Sequence, residues 1–340
     1  MKKQRILALM HGDLVPPENP DPAELETAEW KTEYHVVTTL RALGHSVHPL
    51  GVKSDLSVIR EAIEATKPHI AFNLLEAFDE VGVFDQNVVS YLELKRMPYT
   101  GCNPRGLLLA RDKAISKKLL HFHRIPVPDF AVFHIGRSIR RPKRLEFPLI
   151  VKSLTQEASI GISQASVVED DEKLRERVAF IHRSVGTDAI VERYIEGREL
   201  YVGVLGNLRL QVLPIWELLF TKMPEEAHRI ATERVKWNPK YQEKRGIKTD
   251  EAKDLPEGMP ARIRHLAKRV YRILELSGYA RIDLRLDESG KVYVLEANPN
   301  PQLAYGEDLA DSAERAKIPY KALLQRIIHL GLRWQPDRLG

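Results

Sequence analysis

The sequence predicts an α/β protein that begins with an open, largely parallel sheet and continues into α+β structure built on antiparallel hairpins. Over residues 1–105, short apolar runs alternate with helical patterns, as in parallel strands joined by crossover helices. Later in the chain, alternating strands flank turn-forming clusters such as residues 287–290, which is typical of hairpins. The 340 residues are enough for two or three packed units.

Composition and charge exclude several classes of protein. The chain is 43% hydrophobic and 29% charged, as in soluble globular domains. Its net charge of +5 comes from interspersed charges without a concentrated basic stripe, so we expect no nucleic-acid partner. The single cysteine, Cys102, permits no internal disulfide and fits a reducing compartment. No apolar run suits a signal peptide or a membrane span, so we expect a cytoplasmic protein.

The elements of the N-terminal unit follow from apolar periodicity and turn residues. Strands are expected at residues 5–10, 47–50, 69–75 and near Tyr99, separated by helices at about 30–43, 56–63 and 85–94. The first strand is not followed by G-x-G-x-x-G. A dinucleotide-binding fold of that type is therefore not supported.

The rest of the chain is predicted to mix helices with paired strands. Asp112 begins a helix that ends before Pro126. Strands are expected at 147–152, 162–168, 191–194, 199–205 and 207–218, and helices at 171–183, 260–276 and 319–330. Gly331 is the expected stop of the last helix. The segment 221–258 is polar and poorly periodic, which predicts a long loop or lid.

A polar loop follows the strand that ends in Lys152. This loop, residues 153–161, contains Ser159 and Gly161 but lacks G-x-x-x-x-G-K-[ST], so it is not a P-loop. Small residues let backbone N–H groups approach a phosphate, and the lysine adds positive charge. A phosphate-binding loop and a plain surface loop are both consistent with this segment.

The most informative stretch is the hairpin predicted over residues 279–298. With residues 287–290 as its turn, Leu286 is expected to pair with Lys291. Asp283 then faces Val294, and Arg281 faces Glu296. One face carries the polar side chains of Arg281, Asp283, Arg285, Glu296 and Asn298, and the other carries Ile282, Leu284, Leu286, Tyr293 and Leu295.

The polar face of this hairpin predicts a cation site. Asp283 and Glu296 are expected on a cross-strand diagonal, within reach of one shared cation. Hard cations such as Mg²⁺ take oxygen ligands, often carboxylates together with substrate phosphates. The alternative is a solvated strand face with incidental ion pairs. A one-residue change of register would place the two carboxylates on opposite faces.

Five short motifs follow one another along the chain. They are Leu-Leu-Glu at 74–76 ahead of Pro-Tyr-Thr-Gly-Cys at 98–102; Arg-Asp-Lys at 111–113 with Lys117; Pro-Leu-Ile-Val-Lys at 148–152 with Ser-Ile-Gly at 159–161; the run 191–199; and Arg-Ile-Asp at 281–283 with Glu-Ala-Asn at 296–298. In this order, over about residues 70–330, they resemble the ATP-grasp superfamily and its D-alanine–D-alanine ligase-like branch. The resemblance implies an ATP-grasp fold with a Rossmann-like N-terminal domain, and domains at 1–105, 106–205 and 206–340.

The resemblance also implies an ATP site between two small sheets. Lys113 and Lys152 would hold the phosphates, under the loop that carries Ser159 and Gly161. Backbone groups of the strand at 192–195 would meet adenine, and Glu199 would bind the ribose. The residues of that strand are Glu192, Arg193, Tyr194 and Ile195.

Metal and catalytic roles follow from the same resemblance. Asp283, Glu296 and Asn298 would bind two Mg²⁺ ions, with Mn²⁺ as an alternative. The pair Lys240 and Tyr241 matches a lid pair that reaches the terminal phosphate. Arg281 matches an arginine that stabilises an oxyanion.

The implied activity is ATP-dependent ligation of a carboxylate to an amine. ATP would phosphorylate the carboxylate, the amine would attack the acyl phosphate, and ADP and phosphate would be released. The partners would be ATP and small carboxylate and amine substrates, and the family often forms homodimers. A true D-alanine–D-alanine ligase, a non-catalytic nucleotide-binding relative and a kinase-like ATP-grasp enzyme stay open as alternatives.

The substrate end departs from the D-alanine ligases. Glu76 stands where they carry a histidine, and Glu307 stands where a serine clamps the acceptor carboxylate. Their Ser-Pro-Gly-Met is replaced by residues 300–303, which include Gln302. Carboxylates at these positions would repel an incoming carboxylate. We therefore expect a substrate other than D-alanine, with a cationic group near Glu76 or Glu307.

Overall fold

The computed structural model describes residues 2–25, 27–156 and 159–336. These residues contain a parallel sheet at the N-terminus and two antiparallel sheets after it. The predicted α/β and α+β classes are therefore confirmed for their respective parts of the chain. No helix in the described part is long and apolar enough to cross a membrane.

The N-terminal unit is built on a three-stranded parallel sheet in the order β2-β1-β3. Its elements are β1 Arg5–His11, α1 Pro22–Leu25, α2 Lys31–Ala42, β2 Ser46–Val52, α3 Ser57–Thr66, β3 Ile70–Asn73, α4 Asp85–Leu94 and α5 Pro104–Arg111. The strand expected near Tyr99 is only a single bridge to Ala71. Pro98 lacks a backbone donor and Gly101 turns the chain at a φ of 94°, so pairing cannot extend in either direction.

The central unit is a four-stranded antiparallel sheet in the order β4-β7-β5-β6. Its elements are α6 Lys113–Phe122, β4 Phe130–Phe133, β5 Leu149–Ser153, β6 Val167–Val168, α7 Asp171–Phe180 and β7 Ala189–Arg193. Asp112 caps α6 as expected, because its side chain accepts from the N–H groups of Ala114 and Ile115 at 2.8 Å each. The strand expected at 162–168 is mostly replaced by a 3₁₀ turn at Gln164–Ser166.

The C-terminal unit contains a five-stranded antiparallel sheet in the order β10-β9-β8-β11-β12. Its elements are β8 Arg198–Leu205, β9 Gln211–Phe220, α8 Glu233–Trp237, α9 Pro239–Arg245, β10 Ile247–Glu251, α10 Met259–Ile273, β11 Tyr279–Leu286, β12 Val292–Pro299, α11 Asp308–Arg315 and α12 Tyr320–Leu332. Residues 221–258, predicted as a long loop or lid, form the short elements α8, α9 and β10, so the prediction of a long loop was wrong. The side chains of Thr232 and Asn238 each accept from a backbone N–H and begin the short helices α8 and α9.

The unit boundary expected between residues 205 and 206 separates β8 from β9. These two strands pair over Glu199–Leu218 to Leu205–Gln211, so we propose that the C-terminal unit begins near residue 197. The N-terminal and C-terminal sheets share one apolar core, in which Leu9 and Ile282 belong to the same buried cluster. The central sheet has a core of its own. This arrangement leaves a cleft between the central and C-terminal sheets.

Candidate active site

The polar face of the β11–β12 hairpin lies at the mouth of this cleft. The register differs from the expectation, because Leu286 pairs with Val292 and a bulge leaves Leu295 without a partner. Asp283 therefore lies directly opposite Glu296, and Arg281 opposite Asn298. The predicted diagonal was wrong in detail, but both carboxylates still lie on one face.

The bulge also changes the apolar face of the hairpin. Tyr293 pairs with Arg285 on the polar face, and the expectation that Tyr293 and Leu295 lie on the apolar face was wrong. Their places are taken by Val292 and Val294, which are fully buried. The bulge thus keeps the apolar side chains inside while aligning Asp283 with Glu296.

Asp283 is held by two neighbours on its own face. The Arg281 guanidinium donates to both of its carboxylate oxygens, at 2.8 and 2.9 Å, and the amide of Asn298 donates to Oδ2 at 2.9 Å. Burial raises the pKa of Asp283 to about 6, against the opposing charge of Arg281. Arg281 also contacts Asp308 at 3.2 Å, so its charge is shared between two carboxylates.

Glu296 lies in a more positive environment than Asp283. Burial alone would raise its pKa, but the charges of Lys113, Lys236 and Lys152 outweigh burial and lower the pKa to about 2. The Lys113 ammonium is 3.8 Å from the Glu296 carboxylate. With Asp283 and the side-chain carbonyl of Asn298, this carboxylate completes an all-oxygen donor set of the kind that suits Mg²⁺. The chemistry of the residues present therefore fits the expected metal.

Three lysines face the hairpin from the central unit, and two of them, Lys113 and Lys117, are buried. Lys117 and Lys152 both pair with the buried Glu192, at 3.3 and 3.2 Å. Lys113 donates to the carbonyl of Gln156 at 2.6 Å. Burial would raise the pKa of Glu192, but Lys117 and Lys152 outweigh it and lower that pKa. Only the backbone of Glu192 was expected to have a role. In the structure its side chain pairs with two of the three lysines.

The loop after Lys152 is folded over the cleft, apart from residues 157 and 158, which lie outside the described part of the chain. Ser159 adopts a φ of 60° and its hydroxyl donates to the carbonyl of Ala231 at 2.6 Å. Gly161 follows with a φ of 72°. The cavity under this loop measures about 60 Å³ and is lined by Lys113, Lys152, Ser159, Glu199, Asp283 and Glu296, among others. A nucleotide requires several hundred Å³, which is more than this cavity offers.

The strand expected to meet adenine uses two of its own amides within the fold. The Arg193 N–H donates to Asp129 at 2.8 Å, and the Tyr194 N–H donates to Pro148 at 2.9 Å. Ile195 is buried. Glu199 lines the cavity but pairs with Arg285 at 2.7 Å and accepts from the Tyr201 hydroxyl at 2.9 Å. A ribose would therefore compete with Arg285 for this carboxylate.

The two expected lid residues do not reach the cleft. Lys240 is exposed on α9 and lines neither of the cavities described here. Tyr241 packs beside the apolar cluster that contains Trp216 and Val235. The lysine present at the cleft is Lys236 on α8, which sequence reasoning missed. A helix at this place could have been predicted from Thr232, a residue type that caps helices, followed by the apolar residue Val235.

A second cavity, of about 420 Å³, is also lined by side chains of the polar face of the β11–β12 hairpin. Its lining includes Arg281, Asn298, Lys236, Trp237, the ion pair of Arg111 with Asp85, and the three expected substrate residues Glu76, Gln302 and Glu307. Burial and the neighbouring Asp308 raise the pKa of Glu307. The cavity is thus lined by the cationic side chains of Arg281 and Lys236 and by the acidic side chains of Glu76 and Glu307.

Comparisons with known proteins agree on the family of this chain. Residues 119–329 match the family model described as the D-ala D-ala ligase C-terminus. An uncharacterised protein of Sinorhizobium fredii is 32% identical over 272 residues, which cover 78% of this chain and 75% of the relative. A D-alanine–D-alanine ligase of Desulforudis audaxviator is 30% identical over 304 residues, which cover 87% of this chain and 90% of the relative.

Solved structures extend the agreement to the fold. The D-alanine–D-alanine ligase of Bacillus anthracis, in complex with ATP, superposes with a TM-score of 0.74 at 23% identity, covering 97% of this chain and 98% of that one. The D-alanine–D-alanine ligase of Coxiella burnetii gives a TM-score of 0.70 at 18% identity, covering 97% and 94%. The expected ATP-grasp fold is therefore confirmed.

Proposed function

The chain belongs to the D-alanine–D-alanine ligase family of ATP-grasp enzymes, and from this premise we propose that it joins a carboxylate to an amine through an acyl phosphate. A carboxylate oxygen attacks the γ-phosphorus of ATP, and ADP leaves. The amine nitrogen then attacks the acyl carbon and loses a proton, and phosphate departs with one former carboxylate oxygen. This route gives a poor acyl donor a good leaving group.

The observation that carries this proposal is the position of one polar hairpin face between two cavities. Asp283 and Glu296 line the smaller cavity, beside the lysines. Arg281 and Asn298, on the same face, line the larger one. A phosphoryl donor in the first cavity and an acceptor in the second would meet at this face.

Side chains of this face and the lysines opposite it have separate roles in the proposed reaction. Lys113 and Lys152 offset the charge of the ATP phosphates. Arg281 is placed to offset the charge that develops on the tetrahedral oxygen when the amine attacks. Asp283, Glu296 and Asn298 would hold two Mg²⁺ ions, or Mn²⁺ in their place. The metal, when bound, supplies charge neutralisation between the phosphate oxygens and polarises the transferred group.

The products of ATP turnover test the reaction class. The protein is incubated with ATP, Mg²⁺ and pooled small carboxylates and amines, and nucleotides and phosphate are followed by chromatography. ADP and phosphate are expected to accumulate only when a carboxylate and an amine are both present. Glu296→Gln should abolish turnover with an unchanged circular dichroism spectrum, because it removes one charged ligand. Release of AMP and pyrophosphate would contradict the proposal.

We further propose that one substrate carries a cationic group as well as the reacting carboxylate or amine. The larger cavity supplies Arg281 and Lys236 near the hairpin for the carboxylate end. Glu307, whose pKa is raised by burial and Asp308, gains most if a cation enters beside it. An amino group or guanidinium would satisfy this carboxylate.

The variant Glu307→Ser tests the substrate class. With a cationic substrate found in the pooled assay, kcat/KM is expected to fall about ten- to a hundredfold, since a charge-assisted hydrogen bond contributes about 1.5–3 kcal/mol. Use of D-alanine is expected to rise. The named D-alanine–D-alanine ligase relatives favour D-alanyl–D-alanine synthesis as the second candidate. Unchanged substrate preference in Glu307→Ser would favour that candidate and contradict the cationic one.

A further inference from the structure

A third cavity, of about 420 Å³, lies where the chain enters and leaves the central sheet. The chain enters this sheet through residues 123–129, between α6 and β4, and leaves it through residues 194–197, between β7 and β8. Both connections line the cavity, together with His121, Lys291, Tyr293 and the end of β7. Small-molecule sites measure about 300–1,000 Å³, so this cavity has room for a ligand.

Backbone hydrogen bonds tie the two connections to each other and to the β11–β12 hairpin. The Arg193 N–H donates to the carbonyl of Asp129 at 2.8 Å, and the Val294 N–H donates to the carbonyl of Pro126 at 2.9 Å. Because the chain enters and leaves the central sheet once, any rotation of this sheet against the C-terminal sheet must be taken up at these two connections. We therefore call the cavity between them the hinge cavity.

Positive charge dominates the lining of the hinge cavity. Arg124, Arg193 and Lys291 contribute cations, and Asp129 is the only carboxylate of this lining among the described residues. None of the three cations forms an ion pair or a side-chain hydrogen bond with a described residue, although the Lys291 ammonium lies 4.6 Å from the centroid of the Tyr293 ring. Like charges gathered at one cavity repel one another, and an anion bound among them would relieve that repulsion.

The buried part of the lining is apolar. The side chains of Ile125, Ile195 and Tyr293 are buried, and Pro126 and Pro128 restrict the backbone of the first connection. The charged side chains of the lining are exposed. Apolar surface next to several cations suits a ligand with a carbon skeleton and more than one anionic group, and favours such a ligand over a bare inorganic ion.

The hinge cavity and the smaller cavity lie on opposite faces of β7. The Glu192 side chain points towards Lys117 and Lys152. The side chain of the next residue, Arg193, points to the other face of the strand, because side chains alternate along it. An anion held by Arg193 would therefore act on the strand at 192–195, which is expected beside adenine, from the side opposite to the nucleotide.

We propose that the hinge cavity binds a small organic anion with two or more carboxylate or phosphate groups, and that this binding changes the affinity of the protein for nucleotide. Arg124 and Arg193 would contact the ligand from the central unit and Lys291 from the hairpin. One ligand held by both units favours one position of the central unit over others. Binding of the anion is independent of the proposed function, whereas its effect on nucleotide affinity rests on that function.

Isothermal titration of the full chain without nucleotide or Mg²⁺ tests the site. Propane-1,2,3-tricarboxylate and 1,3-propanediol bisphosphate are the two probes, and they distinguish a carboxylate ligand from a phosphate ligand. At least one probe is expected to bind with one-to-one stoichiometry. The double variant Arg124→Gln/Lys291→Gln should weaken that binding about tenfold or more, because it removes two charge-assisted contacts. The double variant Arg124→Lys/Lys291→Arg keeps both charges and should bind within about threefold of the unaltered protein.

A matched control and a second titration complete the design. Arg209→Gln/Lys321→Gln removes one arginine and one lysine at exposed positions outside the cavity, and it should bind the probe as the unaltered protein does. ADP is then titrated at constant free Mg²⁺ with and without saturating probe. The probe is expected to change the affinity for ADP about threefold or more, and ADP should change the affinity for the probe by the same factor. In Arg124→Gln/Lys291→Gln this effect should be absent.

Three results would count against the proposal. If neither probe binds, or if Arg124→Gln/Lys291→Gln binds the probe as tightly as the unaltered protein, the site is overturned and any binding is that of an adventitious anion only. If the probe binds in the cavity but leaves the affinity for ADP unchanged, the effect on nucleotide affinity is overturned. If the unaltered protein binds the probe but no ADP, the proposed function and this effect both fail, and the anion site is supported.

Discussion

Glu33 lies in an environment that an ionised carboxylate does not favour. It lies in the first turn of α2 at 4% exposure, and one of its carboxylate oxygens is buried without a hydrogen-bond partner among the described residues. Burial and the charge of Glu76 raise its pKa to about 7. Because the unfolded chain releases this proton near pH 4.5, the folded state binds more protons between these two values. Stability is therefore expected to fall as the pH rises through this window.

The variant Glu33→Gln mimics the protonated acid and tests this expectation. It should match the unaltered protein near pH 4.5 and exceed its free energy of unfolding by up to about 3 kcal/mol at pH 8. Urea unfolding at both pH values measures the difference. Glu29→Gln, at an exposed neighbouring position, serves as the control. If Glu33→Gln and the unaltered protein showed the same pH dependence, ionisation of Glu33 in the folded state would cost no free energy, which would contradict the prediction.

Roles at the residue scale were predictable where they depend on near neighbours in the chain. The cap at Asp112 acts on the N–H groups two and three residues later and is recognisable from sequence. The pairing of Glu192 on β7 with Lys117 on α6 and Lys152 on β5 joins three elements of the central unit that are far apart in the chain. Periodicity carries no information on such pairs, so the side-chain role of Glu192 was missed.

At the scale of elements, the hairpin shows where alternation misleads. Val292 and Val294 keep a period of two, but the next buried position is Ala297. The break of period between Val294 and Ala297 is the mark of the bulge, and it moves the register by one residue. The sequence predicted two strands and a face shared by both carboxylates. It did not predict the bulge, because a bulge depends on packing between strands, which the alternation of residues within one strand does not reveal.

The last helix gives a second correction at this scale. Gly331 was expected to end the helix, but α12 continues through it to Leu332. A methyl group at Gly331 would overlap the backbone carbonyl of Tyr99 and crowd Ile70. Glycine at this position allows α12 to approach the N-terminal sheet closely, and it does not end the helix.

This close approach makes Gly331→Ala a sharp test of the packing. Alanine improves helix propensity by about 1 kcal/mol, but the overlap is expected to lower the free energy of unfolding by about 1–3 kcal/mol overall. The midpoint of urea unfolding measures it. Lys321→Ala, an exposed position of the same helix, should change stability by no more than about 0.5 kcal/mol. If the Gly331→Ala variant were more stable than the unaltered protein, the distance between α12 and Tyr99 would have to be larger than in the structure.

At the scale of the whole molecule, each of the three units contributes side chains to the lining of the two cavities. The central unit supplies lysines and the C-terminal sheet supplies carboxylates to the smaller cavity. The larger cavity is lined by Glu76 of the N-terminal unit and by Gln302 and Glu307 beyond β12. The ordered motifs predicted the fold, which is confirmed, and they predicted the residues of the proposed nucleotide end, because the phosphates of ATP require positive charges and metal ligands around them. They did not identify the substrate, because Glu76 and Glu307 come together only through the packing of the N-terminal unit against the C-terminal one.

The transfer of oxygen from the substrate to phosphate tests the central claim most directly. The protein is given ATP, Mg²⁺, an amine pool and carboxylates labelled with ¹⁸O, and the released phosphate is analysed by mass spectrometry. An acyl phosphate carries one carboxylate oxygen into the phosphate when the amine displaces it. The account predicts ADP together with phosphate that contains one ¹⁸O atom. Phosphate without the label, or AMP with pyrophosphate, would contradict it.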